Sequence, residues 1–306
     1  MMHLKTLLVL ALAPWSGLLA NPVFTGADPH AVVIDDRVWI YPTHSEGGRN
    51  FMAYRSDGDG GWEKFGPVLD LKDVPWLKGE NPRQLGPWAP CLAEKDGRYY
   101  FYYSVGPQSE SRPSRIGVAS AATPAGPFKD SGKPLLTGGD GFEAIDPMVF
   151  QDPASGKYYF YAGGSAGAKL RIFELGPGMT EFEKEIETAT PPQFTEAPFM
   201  HVHGGLYHLT YSHGGWRDAT YSVHHATSES PVGPWKYRGV ILKSDSTHKG
   251  PGHHSIIRFP GEDDWRIVYH RWNDRRGDGP YRGPRETAID PLVHRPDGSI
   301  APVQMK

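Results

Sequence analysis

Five times along the chain a short polar head is followed by an aromatic strand at nearly constant spacing. The heads are Asp28-Pro29, Trp88-Ala89-Pro90, Asp146-Pro147, Glu196-Ala197-Pro198 and Gly252-His253. The strands that follow hold Trp39, Tyr100, Tyr159, Tyr207 and Ile267, 11 to 14 residues beyond Asp28, Trp88, Asp146, Glu196 and His253. Successive strands are 61, 59, 48 and 60 residues apart. A second element recurs inside the repeat: Gly126-Pro127-Phe128 and Gly233-Pro234-Trp235 end 28 residues after Tyr100 and Tyr207. Gly61-Trp62, 23 residues after Trp39, is a shorter version. Internal repeats of this length are the mark of a fold built from one supersecondary unit used several times.

The local pattern says what that unit is. Apolar segments are four to eight residues long, alternate with polar residues, and are bounded by Gly, Pro, Asp or Asn, which is strand patterning. Asp35-Asp36-Arg37, Lys95 to Arg98, Ser155-Gly156-Lys157 and His203-Gly204-Gly205 read as hairpin turns. About four short strands per unit, repeated five times, predict an all-β, five-bladed β-propeller with four-stranded antiparallel blades around a central channel. A two-sheet sandwich is the competing architecture, but it gives no reason for a constant offset from head to strand. The short interval between Tyr159 and Tyr207 predicts a third blade trimmed on one side. The stretch from Asp70 to Gln84 is a long insertion, expected beside the channel mouth, where Trp62 and Trp76 would help to wall the pocket.

Composition limits the setting. Residues 1–20 read as a secretory signal: Lys5, an apolar run from Leu7 to Pro14, then Gly17-Leu18-Leu19-Ala20. That run is too short for a bilayer. The expected protein is therefore secreted or periplasmic, with residues 21–306 forming one catalytic domain. Cys91 is the sole cysteine, so no internal disulfide forms, and nine Trp, 15 Tyr and 13 Phe must supply the core instead. A formal charge of −3 gives no electrostatic reason to expect nucleic acid or a membrane as partner. A monomer is the expected state.

Asp before Pro is a common turn, and the chain has four such pairs. Asp28 and Asp146 open repeats; Asp152 lies in a hairpin turn and Asp290 near the end of the last unit, so both read as structural. If the units form a ring, Asp28, Asp146 and Glu196 occupy equivalent places and face a common axis. Three acids there suit cleavage of a glycosidic bond. One ionised carboxylate activates water, one protonated carboxyl donates to the leaving oxygen, and a third holds the donor's pKa up. Acid and base on different blades stand apart across the pocket, which predicts inversion.

The stretches GADPHAVVIDDRVWIYPTHS, GPWAPCLAEKDGRYYFYYS, AIDPMVFQDPASGKYYFYAG, TEAPFMHVHGGLYHLTYS and GPGHHSIIRF resemble glycoside hydrolase family 43. These are five-bladed propeller glycosidases acting on arabinose- and xylose-containing plant polysaccharides. The resemblance implies Asp28 as general base, Asp146 as the aspartate that orients and raises the acid, and Glu196 as general acid. It implies His253 near the channel axis, binding a structural calcium or other ion through waters, with no cofactor required; His254 is the weaker candidate. Arg285 resembles an arginine reaching the sugar hydroxyls, and Trp88 an aromatic face for a sugar ring. The expected activity is release of terminal α-L-arabinofuranose from arabinose- or xylose-containing oligosaccharides or polysaccharides. β-Xylosidase, endo-arabinanase, β-galactofuranosidase and a non-catalytic carbohydrate-binding propeller are the alternatives. His201-Val202-His203 lies outside the resemblance. Alternation puts both imidazoles on one face, but two are short of the three or four ligands that zinc takes.

Overall fold

The computed structural model describes residues 20–43, 48–260 and 265–306. The expected leader, residues 1–20, lies outside the described residues except for Ala20. Strand β1 (Phe24–Thr25) precedes blade one, which consists of β2 (Ala27–Ile34), β3 (Arg37–Thr43), β4 (Asn50–Ser56) and β5 (Trp62–Asp70). Blade two holds β6 (Pro87–Lys95), β7 (Arg98–Val105) and β8 (Arg115–Ala121), with an outer strand split into β9 (Lys129–Asp130) and β10 (Leu136–Thr137). Blade three is β11 (Met148–Gln151), β12 (Tyr158–Ala162), β13 (Arg171–Leu175) and β14 (Phe182–Ile186). Blade four is β15 (Glu196–His203), β16 (Leu206–His213), β17 (Ser222–Ser228) and β18 (Lys236–Lys243). Blade five has β19 (His248–Arg258), β20 (Trp265–Asn273) and β21 (Glu286–Pro291). All pairing is antiparallel, and the five sheets form the expected propeller.

The hairpins form where turn chemistry permits. Asp35 and Asp36, then Asp96 and Gly97, and Gly204 and Gly205 all have positive φ. Tight two-residue hairpins need that at both central positions, and Asp and Gly tolerate it. The short third interval is met by shortening: blade three keeps four strands, each of only four or five residues.

Aromatic rings pack blade on blade. Phe101 of blade two meets Tyr41 and Phe51 of blade one at 5.7 and 5.2 Å between centroids, and Phe128 behind it at 5.0 Å. Ile40 and Val38 pack with Ile257, Val268 and Ile289 of blade five. Burial of this kind contributes on the order of 2 kcal/mol for each large side chain.

The ring closes in a way the repeat does not announce. The fourth strand of blade five is β1, from the other end of the chain, pairing Phe24 with Thr287 and Thr25 with Glu286. Asn21 extends the closure: its Nδ2 donates to the Ile289 carbonyl at 3.1 Å, and its Oδ1 accepts from the Ile289 amide at 2.9 Å. Asp290 is buried in this seam, accepting from Tyr269 Oη at 2.7 Å, so its part is structural. Trp62 packs edge-on against Phe24, and its partner Ser56 is at the far end of β4 from Asn50. It therefore lies at the end of blade one opposite the heads and does not wall the pocket, contrary to the sequence expectation.

Asn21→Ala removes the two hydrogen bonds to Ile289 and a third, from Nδ2 to Asp290 Oδ1 at 3.3 Å, and should cost about 2 kcal/mol or more. A chemical-denaturation midpoint unchanged from the parent would contradict the closing role of this segment.

Candidate active site

Each inner strand enters its blade through one left-handed residue: Asp28 (φ 49°), Ala89 (42°), Asp146 (57°), Ala197 (55°) and His253 (42°). Such angles are uncommon outside glycine, though Asp and His tolerate them better than most. Ladder register shifts beside Asp28, Ala89, Ala197 and His253, and a bulge of this kind re-aims a side chain. The alignment corrects one detail of the repeat. Asp28 and Asp146 are themselves left-handed residues, whereas Glu196 stands one place earlier, level with Trp88 and Gly252.

The amide of each left-handed residue is held by its neighbour. Ala89 donates to Thr43 Oγ1 at 2.7 Å, Asp146 to Ser104 Oγ at 3.0 Å, and His253 to Ser212 Oγ at 2.9 Å. Asp28 donates to His270 Nδ1 at 3.1 Å, across the ring closure. Blade three has no hydroxyl at the matching place, and there the Ala197 amide donates to the Asp146 carboxylate itself.

These contacts gather the carboxyls expected from sequence. His253 Nδ1 lies 3.5 Å from both Asp28 Oδ1 and Asp146 Oδ2. Asp28 is the most heavily tied: Arg285 Nη1 donates to Oδ1 at 2.8 Å, Thr43 Oγ1 to Oδ2 at 2.7 Å, and His270 Nδ1 is 3.2 Å from Oδ1. Burial pushes this carboxyl up, but Arg285, His253 and His270 outweigh it and hold Asp28 well below the usual range. Asp146 has no cation of its own. Burial first, then repulsion from Glu196, Asp28 and Glu143, raises it well above the usual range. Glu196 is pushed up to about 7, chiefly by burial with help from Asp28 and Glu143, against the Tyr221 hydroxyl that donates to Oε1 at 2.7 Å. Both carboxyls therefore keep their protons above the ordinary carboxylate range, and a charge on Glu196 opposes ionisation of Asp146.

Several contributors carried no signal in the repeat. Tyr221 stacks on His270 at 5.7 Å, and a Cβ at Gly252 would fall 2.2 Å from its ring; that glycine is required by the tyrosine's approach. Glu143 is buried, accepting from Ser165 Oγ and the Ala166 amide at 3.1 and 2.8 Å. Trp216 is 44% exposed, with the Arg285 guanidinium 4.8 Å from its ring centre. These residues sit at strand ends and in loops with no fixed offset from a head.

The other expected residues fall as follows. Trp88 is half-buried, with Gly86 and Gly106 close against its ring. Arg285 forks onto Asp28 rather than standing free in the pocket. His254 turns away and bonds Thr210 Oγ1 at 2.6 Å. Asp152 caps its own turn through Ala154 and Ser155. The insertion after β5 lies on the pocket face, since Asp70 pairs with Asn50 at the head end of the blade. It is pinned there by Glu80 to Arg115 at 2.6 Å and by Trp76 stacked on Tyr103, an anchor more than a wall. For an ion beside His253, the nearby side chains are imidazoles and two carboxylates already committed to other partners. Calcium takes six to eight oxygen ligands. This shell does not supply direct coordination, and no step below runs through an ion.

Residues 19–300 match the family model of glycosyl hydrolases family 43. The chain is 34% identical to the β-D-galactofuranosidase xynD of Aspergillus niger, over 93% of this chain and 85% of that protein. It is 30% identical to a xylosidase/arabinosidase of Bacteroides ovatus, over 80% and 85% of the two chains. Among solved structures it is similar to a family-43 β-xylosidase/α-arabinofuranosidase from a compost microbial metagenome, in complex with xylotriose and in a calcium-free form. That likeness has a TM-score of 0.72 and 30% identity, over 92% of this chain and 95% of the other. A thermostable family-43 glycoside hydrolase superposes with a TM-score of 0.76 at 25% identity, covering 94% and 96%.

The geometry sets a titration that carbon-13 NMR of labelled glutamate can read. The Glu196 carboxyl should titrate near about 7. Tyr221→Phe removes a donor that favours the anion, so the midpoint should move upward. A downward shift, or a midpoint in the ordinary carboxylate range for the parent, would contradict the assignment.

Proposed function

The chain belongs to glycosyl hydrolases family 43, a family of glycoside hydrolases, and we propose that it is an inverting, exo-acting enzyme releasing terminal α-L-arabinofuranose. The observation that carries this reading is the division of labour among three buried carboxyls. Asp28 is held anionic by Arg285, while Glu196 keeps a proton up to about 7. That is the pairing a single displacement by water requires.

In this reading water lies between Asp28 and the anomeric carbon. Asp28 takes a proton from the water as its oxygen bonds to that carbon. On the opposite face the glycosidic bond breaks, and Glu196 gives its proton to the departing oxygen. Asp146, raised by burial and by Glu196, Asp28 and Glu143, stands beside the acid as its carboxyl neighbour. Tyr221 engages Glu196 Oε1, so Oε2 is the atom free to carry the proton. His253, neutral because burial depresses it to about 4, spaces Asp28 from Asp146 without adding charge. Trp88 and Trp216 offer aromatic faces, the first beside the heads and the second on the rim. The reading needs no cofactor; an ion held through waters near His253 would be structural. Residues 1–20 direct export, and residues 21–306 act as one catalytic domain on arabinose- or xylose-containing oligosaccharides.

A second substrate is favoured by a specific observation, the 34% identity to a β-D-galactofuranosidase. β-D-galactofuranose has the ring stereochemistry of α-L-arabinofuranose with a longer exocyclic arm, so one pocket can take either if its wall is open there. A panel of nitrophenyl α-L-arabinofuranoside, β-D-galactofuranoside and β-D-xylopyranoside separates these readings. The arabinofuranoside should be turned over fastest; turnover of the xyloside alone would reject the furanose assignment. Glu196→Ala should lower kcat on natural oligosaccharides by about 10²–10⁴, with sugar binding kept. Parental activity in that variant would remove its role as acid.

Stereochemistry provides an independent check. Proton NMR of the first-formed sugar should show the anomer opposite to that of the substrate. A retained product would mean that Asp28 does not act through water.

A further inference from the structure

We propose that His201, His208 and His294 form a binding site for one divalent transition-metal ion of the zinc type, at the end of blade four remote from the carboxyls. Of the alternating histidines of β15 only His201 joins the group, and the fold brings His208 and His294 to it. His201 and His208 are direct cross-strand partners on β15 and β16, so their rings share one face. His294 comes from the segment after β21, which folds back through a bridge to Ile300. One nitrogen from each of the three lies within 4.8 Å of the other two. Among the described residues they are the group of three or more potential ligands that converges in this way.

The details favour a cation over a simple stack of rings. His201 Nε2 and His294 Nε2 face each other at 2.9 Å. A neutral imidazole has one N–H and one lone pair, so this pair can share only one hydrogen. Whichever ring donates it, the buried Nδ1 of His201 is left without a partner. A zinc ion with Zn–N bonds of about 2.0–2.1 Å would use both lone pairs, after the two nitrogens part by a few tenths of an ångström. His208 Nδ1 meets His225 Nε2 at 3.0 Å and its Nε2 meets the His203 carbonyl at 3.2 Å; an ion would take one of these nitrogens from its partner, and the contact left on the other would orient the ring. His203 stacks on His294 at 3.8 Å and holds its ring in place. His294 is only half-buried, so an ion has a route in and a fourth position open to water. Three imidazoles plus water is a common zinc shell. The site is remote from the pocket: His203 closes the hairpin with Leu206, whereas Glu196 pairs with Ser212 at the other end of the same strands.

The test uses untagged protein dialysed against a chelator. Zinc titrated by calorimetry should bind at one equivalent and raise the melting temperature. Copper(II) should quench Trp265, whose ring lies 5.1 Å from His294 and 5.4 Å from His201. His294→Gln should weaken zinc binding by more than about 100-fold and abolish the quenching. Glycosidase activity should be the same with and without zinc. Absence of saturable binding, or parental affinity in His294→Gln, would overturn the proposal. Should that variant fold poorly, anomalous scattering at the zinc edge from crystals of the parent decides the matter. Density between the three imidazoles supports the site, and density elsewhere or none rejects it.

Discussion

The arrangement depends on one backbone constraint used five times: a left-handed residue at the mouth of each inner strand, with its amide held by the blade before it. A non-glycine residue in that region costs on the order of 1 kcal/mol, so it persists only where the surroundings impose it. Here they do. Thr43, Ser104, Ser212 and His270, near or at the ends of second strands, accept from Ala89, Asp146, His253 and Asp28. The latch joins neighbours, so it fixes blade-to-blade spacing and the direction of the side chains in one stroke. Blade three lacks a suitable hydroxyl, and Asp146 accepts in its place. A carboxylate of the site thus does the work that a serine or threonine does elsewhere in the ring.

Shared backbone position does not give shared chemistry. Asp28 and Asp146 are both buried, both left-handed, and both 3.5 Å from His253, yet their pKa values move in opposite directions. The difference comes from one long side chain. Arg285, delivered by the last loop before β21, reaches Asp28, while Asp146 has no guanidinium to offset the carboxyls of Glu196, Asp28 and Glu143. A guanidinium gives two parallel donors to a carboxylate and remains charged at any working pH. The two equivalent acids are therefore driven apart by a residue outside the repeat.

That division also explains what the sequence could and could not reveal. Blade number, hairpin turns and the placement of Asp28 and Asp146 follow from a period and an offset, which are properties of the chain itself. The one-residue displacement of Glu196 was hidden, because Glu-Ala-Pro and Asp-Pro look alike until φ assigns the left-handed residue to Ala197. Tyr221, His270 and Glu143 were invisible for a different reason. They reach the pocket from second strands and connecting loops, where the distance from a head varies between blades. The misplaced Trp62 has the same origin: its order in the chain was legible, but register sends that end of β5 away from the heads. Ring closure by β1 was hidden because two strand residues carry too little pattern to be read, and pairing across 261 and 263 positions leaves no local trace.

The rim extends the argument from chemistry to choice of substrate. The loop after β16 and the loop before β21 are bonded into one unit: the Ala219 amide donates to the Asp278 carbonyl, and the Tyr281 amide to the Arg217 carbonyl. Trp216 belongs to the first loop and Arg285 follows the second, with ring and guanidinium stacked. A sugar resting on Trp216 would therefore press on the residue that sets the charge of Asp28. Changes in these loops alter the surface a substrate meets, while the latched heads beneath stay put. Relatives named for xylosides, arabinosides and galactofuranosides are what such a division would produce: a fixed set of acids under a rim free to vary.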